Sequence, residues 1–135
     1  MIRIVNLLEE KNEYLKKFHD LNEKELIKLA DHNHENVENF YAAREGLLKM
    51  VSKIDEMIED QIKLNEIDVT RAQGLIKKRI INAFSFKNEI VNVILSQDLQ
   101  IISYIEQAKS ELIQELSDVN KARSVMKSYR SDSKV

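Results

Sequence analysis

Apolar residues recur along two long stretches of the chain at alternating intervals of four and three residues. From Leu26 this spacing reaches Ile58, and eight of its ten positions are apolar. A second run extends from Ile94 to Tyr129 with two polar interruptions. A mean spacing of 3.5 residues places an apolar stripe along one side of a helix, and two such stripes bury each other as in a coiled coil. The pattern therefore predicts long, paired helices.

Two places in this pattern predict turns. Asn22 is followed three residues later by Glu25, which resembles a capping box and puts the first turn at 20–22. Asp68 or Thr70 offers the next N-cap, which puts the second turn at 65–68. The predicted helices and a frayed C-terminal tail span, in order, about 2–19, 23–64, 69–130 and 131–135.

The last helix leaves two alternatives open. Asp98 follows Ile94 by four residues where three are due, which is a stutter that locally unwinds a supercoil. Ser96 is alternatively an N-cap that breaks the helix. The sequence predicts a single all-α domain of long antiparallel up-and-down helices with coiled-coil-like packing. The layout is either a helical hairpin or a bundle of three or four helices.

A few positions of the apolar stripes are occupied by polar residues. Burial of a polar residue is costly unless it has a hydrogen-bond or charge partner. The polar residues on the stripes are Asn33, Arg44, Asp98 and Glu115. One interpretation is control of helix alignment, which a polar seam residue provides at some cost in stability. The other is a loose seam that opens for another helix.

A second apolar row lies beside the main stripe of the last helix and is interrupted by Glu106 and Lys109. It consists of Leu95, Leu99, Ile102, Ile113 and Leu116. A face this wide exceeds what one neighbouring helix covers. In a closed bundle the row is core, whereas in a hairpin it buries against a second copy or a client helix. These five residues are the candidate client-binding residues.

Composition and charge narrow the classes of function. The 135 residues include no proline and only two glycines, which disfavours all-β and α/β folds. The net charge of −2, with acids and bases interspersed, gives no bias toward nucleic acid. The N-terminal segment turns acidic too early for a secretory signal, and no stretch approaches the ~20 apolar residues that span a bilayer. With no cysteine in the chain, we expect a soluble, intracellular protein without membrane insertion.

Residues that could carry chemistry are sparse. His32 and His34 are two residues apart, so on a helix they point about 200° from each other. No cysteine or suitably spaced carboxylate pair completes a four-ligand metal site around them. The chain contains no Gly-rich phosphate loop and no nucleophile elbow. We therefore expect no enzymatic activity, no metal and no cofactor.

Five features of the chain together resemble a known family. They are Leu7–Lys11, Leu26–Leu48, Asp98–Glu106, Lys121–Arg123 and Tyr129. In their order, and over nearly the whole chain, they are similar to FlgN/FliT-type flagellar export chaperones. The aromatic segment Phe84–Phe86 has no counterpart in that family.

The resemblance implies a small, cytoplasmic, all-helical chaperone of type III export without enzymatic activity. Such a chaperone binds the terminal helices of hook-filament junction or cap proteins, prevents their premature assembly and delivers them to the export apparatus. It further implies that Tyr129 docks at the export gate and that the second apolar row binds the client. The alternative function is a self-associating coiled-coil structural adaptor, such as a homodimer, with no exchangeable client.

Overall fold

The computed structural model describes residues 1–132, with side chains described as far as Tyr129. Regular structure in this part of the chain is entirely helical, which confirms the predicted all-α class. The elements are α1 (Ile2–Ala30), α2 (Val37–Leu64), a short 3-10 turn (Val69–Arg71) and α3 (Gly74–Asp132). By its internal contacts the chain divides into two units, Met1–Ile101 and Ile102–Val135.

The first unit is a three-helix bundle with two apolar core clusters. The first cluster contains Ile4, Val5, Leu8, Ile58, Ile62, Ala72, Ile80 and Ala83. The second contains Leu15, Phe18, Leu47, Val51, Ile90 and Ile94. Later residues of α1 thus meet earlier residues of α2, so these two helices run antiparallel. Earlier residues of α1 contact earlier residues of α3, and later residues of α1 contact later residues of α3. These two helices therefore run parallel. Of the two predicted layouts, this unit adopts the bundle.

The predicted turn at 20–22 is wrong, because α1 continues through it. Asn22 is fully buried and caps no helix. Its side-chain amide instead donates to Gln97 Oε1 and to Asp98 Oδ1 on α3, each at 3.2 Å. Glu25, the other member of the predicted capping box, is buried in the same bundle. Long-range partners on α3 therefore replace the capping interaction that the local sequence suggests.

The turn between the first two helices lies instead at residues 31–36. His32 and Asn36 adopt left-handed backbone with φ of 57° and 63°, a region in which His and Asn are enriched among non-glycine residues. The Asn33 side chain accepts a hydrogen bond from the Glu35 amide at 3.0 Å, as in an Asx turn. Asn33 is therefore a loop residue, and the heptad spacing that passes through it is coincidental.

The second turn matches the prediction at its beginning and differs at its end. The helix α2 ends at Leu64, as predicted. The Asp68 carboxylate accepts from the Thr70 amide at 3.0 Å and caps the 3-10 turn. Ala72 then has extended backbone and buries its side chain in the first core cluster. Because this segment packs onto the bundle, α3 begins at Gly74, later than the predicted residue 69.

The helix α3 is continuous through Ser96, so the predicted alternative of a break there is wrong. Continuity follows from the packing on both sides of Ser96, because Ile94 and Gln97 are both buried in the bundle. Of the predicted frayed tail, residues 131 and 132 continue the helix. The remaining predicted tail residues, 133–135, lie outside the described part of the chain.

Candidate protein-binding surfaces on the last helix

One side of α3 in the first unit is not covered by α1 or α2. The side chains of α3 that face the bundle are Ile80, Ala83, Ile94, Gln97 and Ile101, all of them buried. At 100° per residue, a second set of apolar residues points about 120° away from that buried side. This set is Ile81, Phe84, Leu95 and Leu99, which we call the outer patch, and all four are exposed.

Two of the predicted binding residues belong to the outer patch. Leu95 is 56% exposed and Leu99 is 71% exposed. Their interpretation as core of a closed bundle is therefore wrong in this unit. Large apolar side chains at this level of exposure, grouped on one side of a helix, form a surface that a second protein can cover.

The sequence analysis missed the other two residues of the outer patch, Ile81 and Phe84. Stepping back from Leu95 by four and three residues passes Val91 and Asn88 and arrives at Phe84 and Ile81. This spacing was the available signal. The polar Asn88 interrupts the row and weakens this signal.

In the second unit, the described side chains from Ile102 to Tyr129 are all exposed or half-buried. The predicted binding residues Ile102, Ile113 and Leu116 are exposed, and we call these three the C-terminal patch. The small side chain of Ser117 leaves a shallow, open depression beside Ile113 and Leu116. A side chain of a partner can enter such a depression.

The same unit exposes residues of the main heptad stripe. Leu112, Val119 and Met126 are each about half exposed or more. Together with the C-terminal patch they make the apolar arc of this helix unusually wide. Two separate partner helices, or one partner and a second copy, are needed to cover an arc of this width.

Tyr129, the predicted docking residue, is 79% exposed. The basic residues Lys121, Arg123 and Lys127 precede it on the same helix. An exposed tyrosine ring offers a partner both an apolar face and a hydroxyl group.

A buried polar network joins the three helices of the first unit. Arg44 of α2 and Asp98 of α3 form an ion pair with 2.7 Å between Nη2 and Oδ2, and both side chains are only 20% exposed. The Arg44 guanidinium carbon also lies 4.9 Å from the centre of the Phe18 ring. Two of the four polar residues on the predicted stripes thus pair with each other. This arrangement supports the alignment interpretation for Arg44 and Asp98.

Gln97 extends the network along α1. Its side-chain amide donates to Glu23 Oε2 at 2.8 Å and to the backbone carbonyl of His19 at 3.3 Å. Further along, the amide of Asn12 donates to the Ala83 carbonyl at 2.9 Å. These bonds fix α1 against α3 at several points along their length.

Glu25 is the buried titratable group of this region. It is 4% exposed, and burial raises the pKa of its carboxyl above the ordinary 4.5, although the Lys28 and His34 charges act in the opposite direction. Glu25 Oε1 and Asn22 Oδ1 have no hydrogen-bond partner among the described residues. Glu25 therefore reduces stability when it is ionised.

The described residues contain no cluster of potential metal ligands. His32 and His34 lie in the exposed loop between α1 and α2, and no group of three or more potential ligands occurs in residues 1–132. The bidentate contact of Arg79 with Glu9 is a surface ion pair between α3 and α1. None of the described helices is sufficiently long and apolar to cross a membrane.

Comparisons of this chain with protein-family models, with curated proteins and with solved structures found no match.

Proposed function

We propose that this protein is a chaperone that binds an amphipathic helix of a client protein against the exposed apolar residues of α3. The observation that supports this function best is the exposure of five large apolar side chains at helical spacing. They are Leu95 and Leu99 in the first unit and Ile102, Ile113 and Leu116 in the second.

A helix is the partner that such a surface suits best. The backbone groups of α3 are already used within the helix, so a partner cannot pair with it as an added strand and must bind through side chains. Residues spaced by three and four on α3 match the spacing of an amphipathic helix that lies along it. This mode of binding needs no catalytic residue.

The strength expected of the complex is also suitable for a chaperone. Covering one half-exposed leucine or isoleucine contributes roughly 1 kcal/mol at about 25 cal/mol per Å² of apolar area. Five such side chains, with a similar apolar area on the client helix, contribute about 10 kcal/mol before the cost of association, roughly 4–15 kcal/mol, is subtracted. Such a surface supports reversible binding, and a chaperone has to release its client.

The resemblance to FlgN/FliT-type chaperones supplies the class of client. We propose that the clients are the terminal helices of flagellar axial subunits, such as hook-filament junction or cap proteins. The protein would hold them in the cytoplasm, prevent premature assembly and deliver them to the type III export apparatus. Tyr129, exposed near the end of the described helix, is the residue we propose for contact with that apparatus.

The alternative function is a self-associating structural adaptor. The exposed stripe residues Leu112, Val119 and Met126 favour it, because they lie beside the C-terminal patch and could bury against a second copy. An adaptor of this kind has no exchangeable client. The two functions therefore differ in whether a client helix binds.

Calorimetric titration of the full-length protein with peptides of the terminal helices of candidate axial subunits tests the proposal. We expect binding of at least one peptide, and a loss of affinity of more than tenfold in Leu99→Asp and in Ile113→Asp, because each places a charge in an apolar contact. The matched control is Gln114→Asp, which places a carboxylate on the same helix about 100° around its axis from Ile113 and outside the C-terminal patch. The proposal is wrong if no peptide binds, or if all three variants bind like the parent protein.

A further inference from the structure

The helix of the second unit carries its charges in two blocks. Between Ile102 and Asp118 there are four acids and one base. Between Val119 and Tyr129 there are three bases and no acid. A second copy laid antiparallel about the middle of this helix brings the net-negative half of each helix against the net-positive half of the other, whereas a parallel copy aligns halves of like net charge. Beside the stripe, the antiparallel copy also places Lys109 near Arg123 and the two Asp118 near each other, so the preference comes from the net charge of the halves.

The apolar stripe of this helix has the same preference for an antiparallel partner. Its positions are Ile105, Ala108, Leu112, Glu115, Val119, Ala122, Met126 and Tyr129. These positions are symmetric about residue 117, so an antiparallel copy centred there pairs every stripe residue with another stripe residue. Ala108 then meets Met126 and Ala122 meets Leu112. Each small side chain faces a large one, as interdigitated packing requires.

The described stripe side chains are free for such a contact. Leu112, Val119, Met126 and Tyr129 are exposed, and Ile105 is half-buried. A helix in a protein gains most of its stability when its apolar side packs against a partner. A second copy provides that packing over the length of the stripe.

We infer that two copies of this protein associate through an antiparallel pairing of the helices at 105–129, centred on residue 117. The occupant of the stripe is thus a second copy of this chain. Ile113 of the C-terminal patch points roughly 100° away from Leu112 and roughly 160° away from Glu115, the nearest stripe residues. The pairing therefore leaves it accessible to a client.

Glu115 weakens the pairing and makes it reversible. In this alignment its carboxylate faces Val119 of the other copy near the centre of the contact, and the second Glu115 lies about one helical turn away. A buried carboxylate in an apolar layer lowers affinity. Replacement of Glu115 by leucine is therefore expected to tighten the dimer.

Sedimentation equilibrium of the full-length protein over a range of concentrations tests the association. We expect a monomer–dimer equilibrium, a Glu115→Leu variant with a dissociation constant at least about tenfold lower, and a Leu112→Asp variant that is monomeric throughout. A protein that stays monomeric at all concentrations, with Glu115→Leu monomeric as well, overturns the inference.

The orientation is tested by single cysteines, since the chain has none of its own. In the antiparallel pairing two copies of residue 116 lie close together, whereas two copies of residue 105 are about 36 Å apart. A short thiol cross-linker should therefore join Leu116→Cys dimers and leave Ile105→Cys dimers unlinked. A mixture of Ile105→Cys with Tyr129→Cys should form the mixed product. Efficient cross-linking of Ile105→Cys to itself indicates a parallel dimer and contradicts the inference.

This inference and the proposed client binding can fail independently. Leu112→Asp is expected to abolish the dimer, and client binding to the outer patch is expected to survive in it. Residue 99 lies outside 105–129, so Leu99→Asp is expected to leave the dissociation constant of the dimer unchanged. If Leu99→Asp abolishes dimerisation, the contact uses the outer patch and the stripe pairing is wrong.

Discussion

The polar residues inside the first unit show how far single positions can be interpreted from sequence. Arg44 and Asp98 were recognisable as polar interruptions of an apolar stripe, because their heptad positions are visible in the sequence. Their pairing across 54 residues of chain was not, since spacing carries no information about partners on other helices. Asn22 was misassigned as a cap for the same reason, because its partners lie on α3.

We expect Asp98→Ala to lower the free energy of unfolding by about 2–3 kcal/mol, because it leaves the largely buried Arg44 without its carboxylate. Urea unfolding measures this loss. In a double-mutant cycle with Arg44→Ala, the two losses should overlap by about 1 kcal/mol or more. Strictly additive losses would show that the ion pair does not link α2 to α3.

Glu25 predicts a dependence of stability on pH. Its raised pKa means that the folded protein binds this proton more tightly than the unfolded chain does. Its contribution to stability is therefore present at low pH and is lost as the pH rises through the raised pKa. Glu25→Gln should melt at a higher temperature than the parent protein at pH 8, and this advantage should shrink as the pH falls toward 4.5.

Thermal melts followed by circular dichroism at several pH values check this expectation. Glu10→Gln makes the same chemical change at an exposed position of α1 and serves as the control. An advantage of Glu25→Gln that is absent at pH 8, or that grows as the pH is lowered, would contradict the assigned effect of burial.

At the scale of the elements, the sequence predicted the helical class and the end of α2. It offered Asp68 or Thr70 as the cap of the last helix, whereas Asp68 caps the short 3-10 turn that precedes α3. It placed the first turn wrongly. The true turn at 31–36 carries a clear local signal in the run Asp-His-Asn-His-Glu-Asn. That signal was overridden because Ala30, Asn33 and Val37 happen to continue the heptad spacing. The polar composition of residues 31–36 predicts the turn correctly, whereas a single residue such as Asn33 can fit a heptad spacing by chance.

Paired alanine and glycine substitutions test the revised boundary. At Asp20, inside α1, glycine should be about 1 kcal/mol less stable than alanine. At His32, where φ is 57°, glycine should be more stable than alanine by about 1 kcal/mol, because alanine is strained there. Chemical unfolding of the four variants measures both differences. If glycine were less stable than alanine at both positions, or more stable at both, the C-terminal boundary of α1 would lie elsewhere.

At the scale of the whole molecule, both units have apolar side chains that no described residue covers. The sequence identified Leu95, Leu99, Ile102, Ile113 and Leu116 as a row outside the main stripe, because helical spacing fixes which residues share a side of a helix. It could not decide whether the row was core or surface. That choice depends on the number of helices around α3, and periodicity along one helix does not give that number.

The covering of this row by a client helix is the central claim, and site-specific photo-crosslinking tests it most directly. A photoreactive phenylalanine analogue is placed at Leu99, at Ile113 or at Gln114 of the full-length protein, which is then mixed with a purified axial-subunit helix and irradiated. We predict crosslinks to the helix from Leu99 and Ile113 and none from Gln114. Crosslinking from Gln114 alone, or equal crosslinking from all three positions, would contradict the claim.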